Sequence, residues 1–123
     1  MTIEDAVRLV DHMKPNQYSD ATKIRWLNKL DGMIWKEVFL THEDKPEGDF
    51  EEYDDDMTQT LLVPEPYAMD VYNFYLQSQI DKENMETAKY NQSAALYNSA
   101  YQSFTNYYNR THRPIPRRSQ FLF

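Results

Sequence analysis

The chain has 123 residues, a formal net charge of −7, no cysteine and two glycines. That length bounds it to one domain able to bury its own core. The missing cysteines exclude a disulfide framework and thiolate metal sites, and scarce glycine excludes a phosphate-cradling loop while favouring helix.

In chain order, Thr2 with Asp5 three residues on approximates a capping box and opens a first helix. Its apolar positions are Ile3, Ala6, Val7, Leu9 and Val10, and Pro15 with Asn16 ends it near Met13. Ser19 is the N-cap expected for a second helix. Ile24, Leu27, Leu30 (or Asp31), Ile34 and Val38 mark one face of it, and Trp26, Met33 and Trp35 widen the apolar surface. Gly32 falls in mid-pattern, where it allows either a close helix approach or a kink. The stretch 42–56 is too polar for a core and reads as a projecting loop, interrupted by Phe50 and Tyr53. Residues 57–63 are short, rich in β-branched and apolar side chains and bounded by Pro64, which predicts an extended segment or one arm of a ribbon.

Pro64 and Pro66 launch a third helix, proline being tolerated at its first position. One stripe there is Met69, Tyr72, Leu76 and Ile80, and a neighbouring one is Tyr67, Val71, Phe74 and Tyr75. This helix is expected to end near Asp81, with Asn84 capping the next in an αα-hairpin. The fourth helix carries the cleanest periodicity. Tyr90, Ala94, Tyr97, Tyr101, Phe104 and Tyr108 are spaced 4, 3, 4, 3, 4. A seam of that spacing serves a coiled coil or, more simply, the bundle core. Pro114 and Pro116 forbid further helix, leaving a basic, apolar-ended tail with four arginines in its last fourteen residues.

The predicted fold class is therefore all-α. It is a small bundle of about four helices over residues 1–109, with an acidic loop at 42–58 and an extended basic arm at 110–123. A short β-ribbon within the loop is an option. No apolar run approaches the roughly 20 residues of a membrane span and no secretory signal opens the chain, which predicts a soluble protein made in the cytoplasm.

Charge is segregated along the chain. Residues 1–41 are neutral overall, 42–58 carry nine acids against Lys45 alone, 59–109 carry −3, and 110–123 carry +4. Such an arrangement suits head-to-tail contacts between neighbours, or two partners at two ends. Ten tyrosines serve either a core or an interface.

Catalytic patterns are lacking. The three histidines, at 12, 42 and 112, show no metal-ligand spacing. The run Glu51, Glu52, Tyr53, Asp54, Asp55, Asp56 lacks the glycine and ligand order of a calcium loop. Neither an enzyme nor a cofactor is expected. Phosphate contacts by the tail arginines would be opposed by the anionic remainder, so a protein-binding arm fits them better.

The segments Leu61-Leu-Val-Pro-Glu-Pro-Tyr67, Tyr72-Asn-Phe-Tyr-Leu76, Lys89-Tyr-Asn91, Leu96-Tyr-Asn-Ser-Ala-Tyr101 and Asn106-Tyr-Tyr-Asn-Arg110 resemble head–tail connector adaptors of tailed bacteriophages. The resemblance covers roughly residues 60–113 and the N-terminal helices in outline. It implies a virion protein of the neck, forming a homo-oligomeric ring, usually of a dozen copies, beneath the portal protein. DNA passes through such a ring without specific binding, and no membrane is involved.

A C-terminal arm would reach the portal, here Arg110, Arg113, Ile115, Pro116, Arg117, Arg118, Phe121, Leu122 and Phe123. The loop would face a stopper or tail-completion protein, or the lumen, through Glu47, Asp49, Glu51, Glu52, Tyr53, Asp54, Asp55 and Asp56. An anionic channel wall repels phosphates, in keeping with the loop's charge. The rival expectations are an acidic DNA-mimic inhibitor and a small helical regulator.

Overall fold

The structure, a computed structural model, describes residues 1–116. Four helices carry the fold: α1 (Ile3–Met13), α2 (Asp20–Glu37), α3 (Tyr67–Glu83) and α4 (Thr87–Thr111), with a single 3-10 turn at Phe39–Thr41. The architecture is a small all-α bundle, and no strand forms among the described residues. The expected ribbon is replaced by two isolated bridges, Thr2 with Thr60 and His42 with Pro114.

Local chemistry sets the helix ends. The Thr2 hydroxyl accepts from the Asp5 N–H at 3.2 Å while the Asp5 carboxylate accepts from the Thr2 N–H at 3.1 Å, completing the capping box. The Thr2 N–H first, and then the Thr2 hydroxyl, hold the Asp5 carboxyl below its ordinary range. Ser19 caps α2 through the Thr22 N–H. Pro66 occupies the N-cap of α3 rather than its first helical position, and the Tyr67 and Ala68 N–H groups reach back to the Pro64 carbonyl. Asn84 closes α3 as its C-cap instead of opening α4, and Glu86 takes the N-cap of α4. Between them Met85 adopts φ 57°, a left-handed turn made by an exposed non-glycine residue.

The core lies among α1, α2 and α3. Ile3, Ala6, Val10, Leu27, Ile34, Ala68, Val71, Tyr72, Leu76 and Ile80 have no exposed surface or none to speak of. Met69, expected on the inward stripe of α3, is 51% exposed instead. At the α1–α2 corner the buried Lys23 ammonium pairs with Asp11 at 2.8 Å and donates to the Tyr18 carbonyl. The buried Asp81 pairs with Lys14 and accepts from the Ser93 hydroxyl at 2.8 Å, which ties α4 to α3. α4 packs its backbone on α3 alone, and only Ser93, Phe104 and Tyr108 along it are buried.

Of residues 57–63, only 59–61 run extended beside the N-terminus, between a turn at 57–58 and a bend at 62–63. The Ile3 and Glu4 N–H groups donate to the Gln59 and Met57 carbonyls, and Leu61 donates to the Met1 carbonyl. This lays Leu61 and Val63 into the core and leads the chain into α3.

Candidate functional site

The acidic stretch does not project. Its second half, residues 49–56 (the strap), lies along α2 and is fixed there at two aromatic side chains. The Phe50 ring stands 6.2 Å from that of Trp35 and 5.6 Å from that of Tyr53. Gly32 faces this ring, so the bare backbone in α2 accommodates Phe50 rather than another helix. Asn28 brackets the Tyr53 peptide: its amide oxygen accepts from the Tyr53 N–H at 2.6 Å and its amide nitrogen donates to the Tyr53 carbonyl at 3.1 Å.

Beneath the strap lies a buried carboxylate. Asp31 has no exposed surface and accepts three hydrogen bonds: from the Tyr53 hydroxyl at 2.5 Å, the Tyr72 hydroxyl at 2.7 Å and the Leu62 N–H at 3.1 Å. The Tyr72 hydroxyl in turn accepts from the Val63 N–H at 2.8 Å. One side chain thus joins α2, α3, the strap and the segment 57–63. Among the described residues no cation pairs with Asp31. Desolvation raises its pKa to about 6 despite the three donors, and burial beside the carboxylate pushes both tyrosines well above their ordinary value.

The acids singled out in the sequence point outward. Glu47, Asp49, Glu51, Glu52, Asp54, Asp55 and Asp56 are all exposed. Among the described residues none of them has a basic partner within ion-pair distance. The turn at the strap's end is stitched by its own side chains. Asp54 accepts from the Asp56 N–H, and Asp56 accepts from both the N–H and the hydroxyl of Thr58, which holds its carboxyl below the ordinary range. Tyr53 departs from this set, because its hydroxyl serves Asp31 and not a partner. Facing the strap across two surface grooves of about 540 and 490 Å³ are Arg25, Lys29 and Lys36 on α2.

The root of the arm is also held. α4 continues through Arg110 to Thr111, so the extended part begins at His112 and not at Arg110. The Ile115 N–H donates to the Thr41 carbonyl and the Glu43 N–H donates to the Arg113 carbonyl, both at 2.8 Å. Tyr108 stacks on His112 with centroids 3.9 Å apart, and its other neighbours are Phe39 at 5.1 Å and an edge-on His42 at 4.6 Å. His42 is buried; its Nδ1 donates to the Val38 carbonyl, and its Nε2 lies 2.7 Å from the Asn109 side chain. His112 pairs with Asp44, lowering that carboxyl, and Arg113 lies 3.7 Å from Glu43. Ile115 and Pro116 are exposed. Arg117, Arg118, Phe121, Leu122 and Phe123 lie outside the described residues.

Among the described residues, the start of the basic segment therefore lies beside the start of the acidic one. The arm root pairs with the first residues of the acidic stretch, so the two leave the same end of α2. Two histidines seventy positions apart in sequence share one aromatic cluster, their rings 6.3 Å apart. No group of three metal-binding side chains forms among the described residues, and no described helix is long and apolar enough to cross a membrane.

Asn28, Asp31, His42 and His112 are the organising residues that sequence reasoning missed. Only Asp31 carried a signal, as a carboxylate inside an apolar stripe. Comparison with protein-family models, curated proteins and solved structures finds no match to this chain.

Proposed function

We propose that the chain is a structural adaptor of a phage-type head–tail connector, a non-enzymatic virion protein that forms a ring on a portal and receives a stopper or tail-completion protein below. The observation that carries this reading is the pairing of a fixed acidic edge with an arm anchored at its root. A strap presenting six exposed carboxylates is clamped to α2, and residues 112–116 are pinned to 41–43. Both devices serve contact with other chains rather than chemistry on a small substrate. The resemblance of residues 60–113 to connector adaptors points the same way.

Under this reading the basic residues of 110–123 meet carboxylates on the portal, with arginine suited to paired contacts. The apolar end, Phe121 to Phe123, adds buried area. Docking of the arm gains from effective concentration once neighbouring copies are in place. The exposed acids keep the channel wall repulsive to DNA.

Deleting residues 120–123, or replacing Arg117 and Arg118 with Glu, tests the reading in a portal-decoration assay followed by electron microscopy. The expected result is loss of decoration with an unchanged melting temperature. Decoration at wild-type occupancy by both variants would overturn the role of the arm. Low-salt capture of a DNA-binding protein in place of the portal would favour the DNA-mimic reading.

A further inference from the structure

We propose that the outer face of the α3–α4 hairpin is the surface by which one copy of this chain meets the next. This deepens the connector reading, on which it rests, by naming the side that joins neighbours.

The face is set apart by its lack of charge. None of the chain's 13 basic and 20 acidic residues falls between Tyr90 and Asn109. Those positions lie within α4 and make up about 30 Å of it. Their outward side chains are Asn, Gln, Ser, Ala and Leu, where Lys and Glu would add ion pairs along the helix and better helix propensity. Across the hairpin, α3 has no charged side chain between Asp70 and Asp81. The solvent face of α2 is built differently, with Asp20, Arg25, Lys29, Lys36 and Glu37 all exposed.

A second copy is the occupant that this chemistry fits. The chain carries −7, so two copies repel where their charged surfaces meet, and the hairpin face keeps that repulsion out of the contact. Interface cores are depleted of charge and enriched in tyrosine. Along α4, Tyr90, Tyr97, Tyr101 and Tyr107 lie half-buried.

Shape supplies the direction. Asn91, Asn98 and Gln102 recur at steps of seven and four, so they share one flank of α4. On the other flank a surface groove of about 360 Å³ opens between the helices, lined by Tyr67, Asp70 and Phe74 of α3 and Leu96, Ser99 and Ser103 of α4. An amide flank laid into the groove of the next copy is a head-to-tail contact, the kind that closes a ring. It covers Leu96, which is 44% exposed. It also brings amide donors to Asp70, an exposed carboxylate with no basic partner in ion-pair distance among the described residues. A flank of about 30 Å by about 10 Å buries about 600 Å² per contact, below the roughly 1,000 Å² of a stable pair. Free copies therefore meet weakly, and the contact holds once a portal sets neighbours side by side.

The test uses the full chain alone, without a portal. Backbone amide shifts are followed by NMR from about 20 µM to about 1 mM, at low and at high salt. The expected result is concentration-dependent shifts at Phe74, Asn91, Asn98, Ser99 and Gln102, with α1 and the strap unmoved. Salt preserves or strengthens them, because it screens the repulsion between anionic copies and removes no attractive ion pair. Ser99→Glu in the groove and Asn98→Glu on the amide flank each weaken the association about tenfold or more, with the melting temperature unchanged. Shifts that are absent up to about 1 mM, that fall on another face, or that salt abolishes as it would an arm-to-strap pairing would overturn the proposal. So would wild-type association in both Glu variants. A chain that associates by this face yet binds no portal confirms the contact and removes the connector reading alone.

Discussion

α3 and α4 teach opposite lessons about helical pattern. α4 has the most regular seam in the sequence, yet it buries only Ser93, Phe104 and Tyr108, and Tyr90, Tyr97 and Tyr101 remain half-exposed. α3 shows two overlapping stripes and no clean polar face, yet nine of its residues are buried. The difference is in the number of neighbours. α3 lies against α1, α2 and α4, so it must be apolar on several sides, and even Asn73, Ser78 and Asp81 are enclosed. α4 lies along one helix, α3, and meets only the Phe39–His42 turn besides, at its C-terminal end, so it needs one stripe. A sharp period therefore marks a helix at the edge of the bundle, and a blurred one marks the helix at its centre.

Large-to-small substitutions give the strongest test of that contrast. Leu76→Ala on α3 is expected to lose about 2–5 kcal/mol of unfolding free energy through transfer and cavity terms. Tyr97→Ala on α4, half-exposed at the start, is expected to lose about 1–2 kcal/mol. Chemical denaturation of the two variants measures both, and equal losses would break the comparison.

Next in size is the pH dependence carried by Asp31, at the seam between α2, α3 and the strap. Its folded-state pKa is raised to about 6, so ionisation opposes folding and the penalty grows as pH rises from 4 to 7. Two units of raised pKa correspond to about 3 kcal/mol at pH 7. Relative to Asp31→Asn, wild-type stability should therefore rise by about that amount on acidification from pH 7 to 4. The difference between the chains is the informative quantity. Asp5, Asp44 and Asp56 have lowered pKa values, and the stability they contribute is lost as pH falls.

Smaller effects probe the edges. Thr2→Ala removes the cap of α1 and should destabilise by about 1 kcal/mol in thermal unfolding. Gly32→Ala runs the other way. A Cβ there would stand 3.7 Å from the nearest Phe50 carbon, an ordinary contact, while mid-helix alanine is favoured by about 0.5–1 kcal/mol. A modest rise in melting temperature is the expected outcome, and a fall would mean that the strap needs closer access to α2 than the geometry shows.

Much of the scaffold was legible from short-range chemistry. The Thr2 box, the Ser19 cap and the stripe from Ile24 to Val38 each depend on residues a few positions apart. The strap was not legible. A run of acids predicts solvent, and nothing local says that Tyr53 finds Asp31 twenty-two positions back, or that Asn28 brackets its peptide. The arm root was hidden for the same reason, since His42 and His112 meet only once α4 has folded back along α3. Asn84 misled because asparagine suits both ends of a helix, and the turn was made instead by Met85 in a left-handed conformation.

The central proposal is that the clamped acidic edge and the arm held at its root, residues 112–116, serve assembly. Native mass spectrometry of the purified chain, alone and mixed with its cognate portal ring, tests it most directly. The account predicts a free chain that becomes a closed set of about a dozen copies on the portal. A stable monomer or dimer that ignores the portal at every ratio would contradict it.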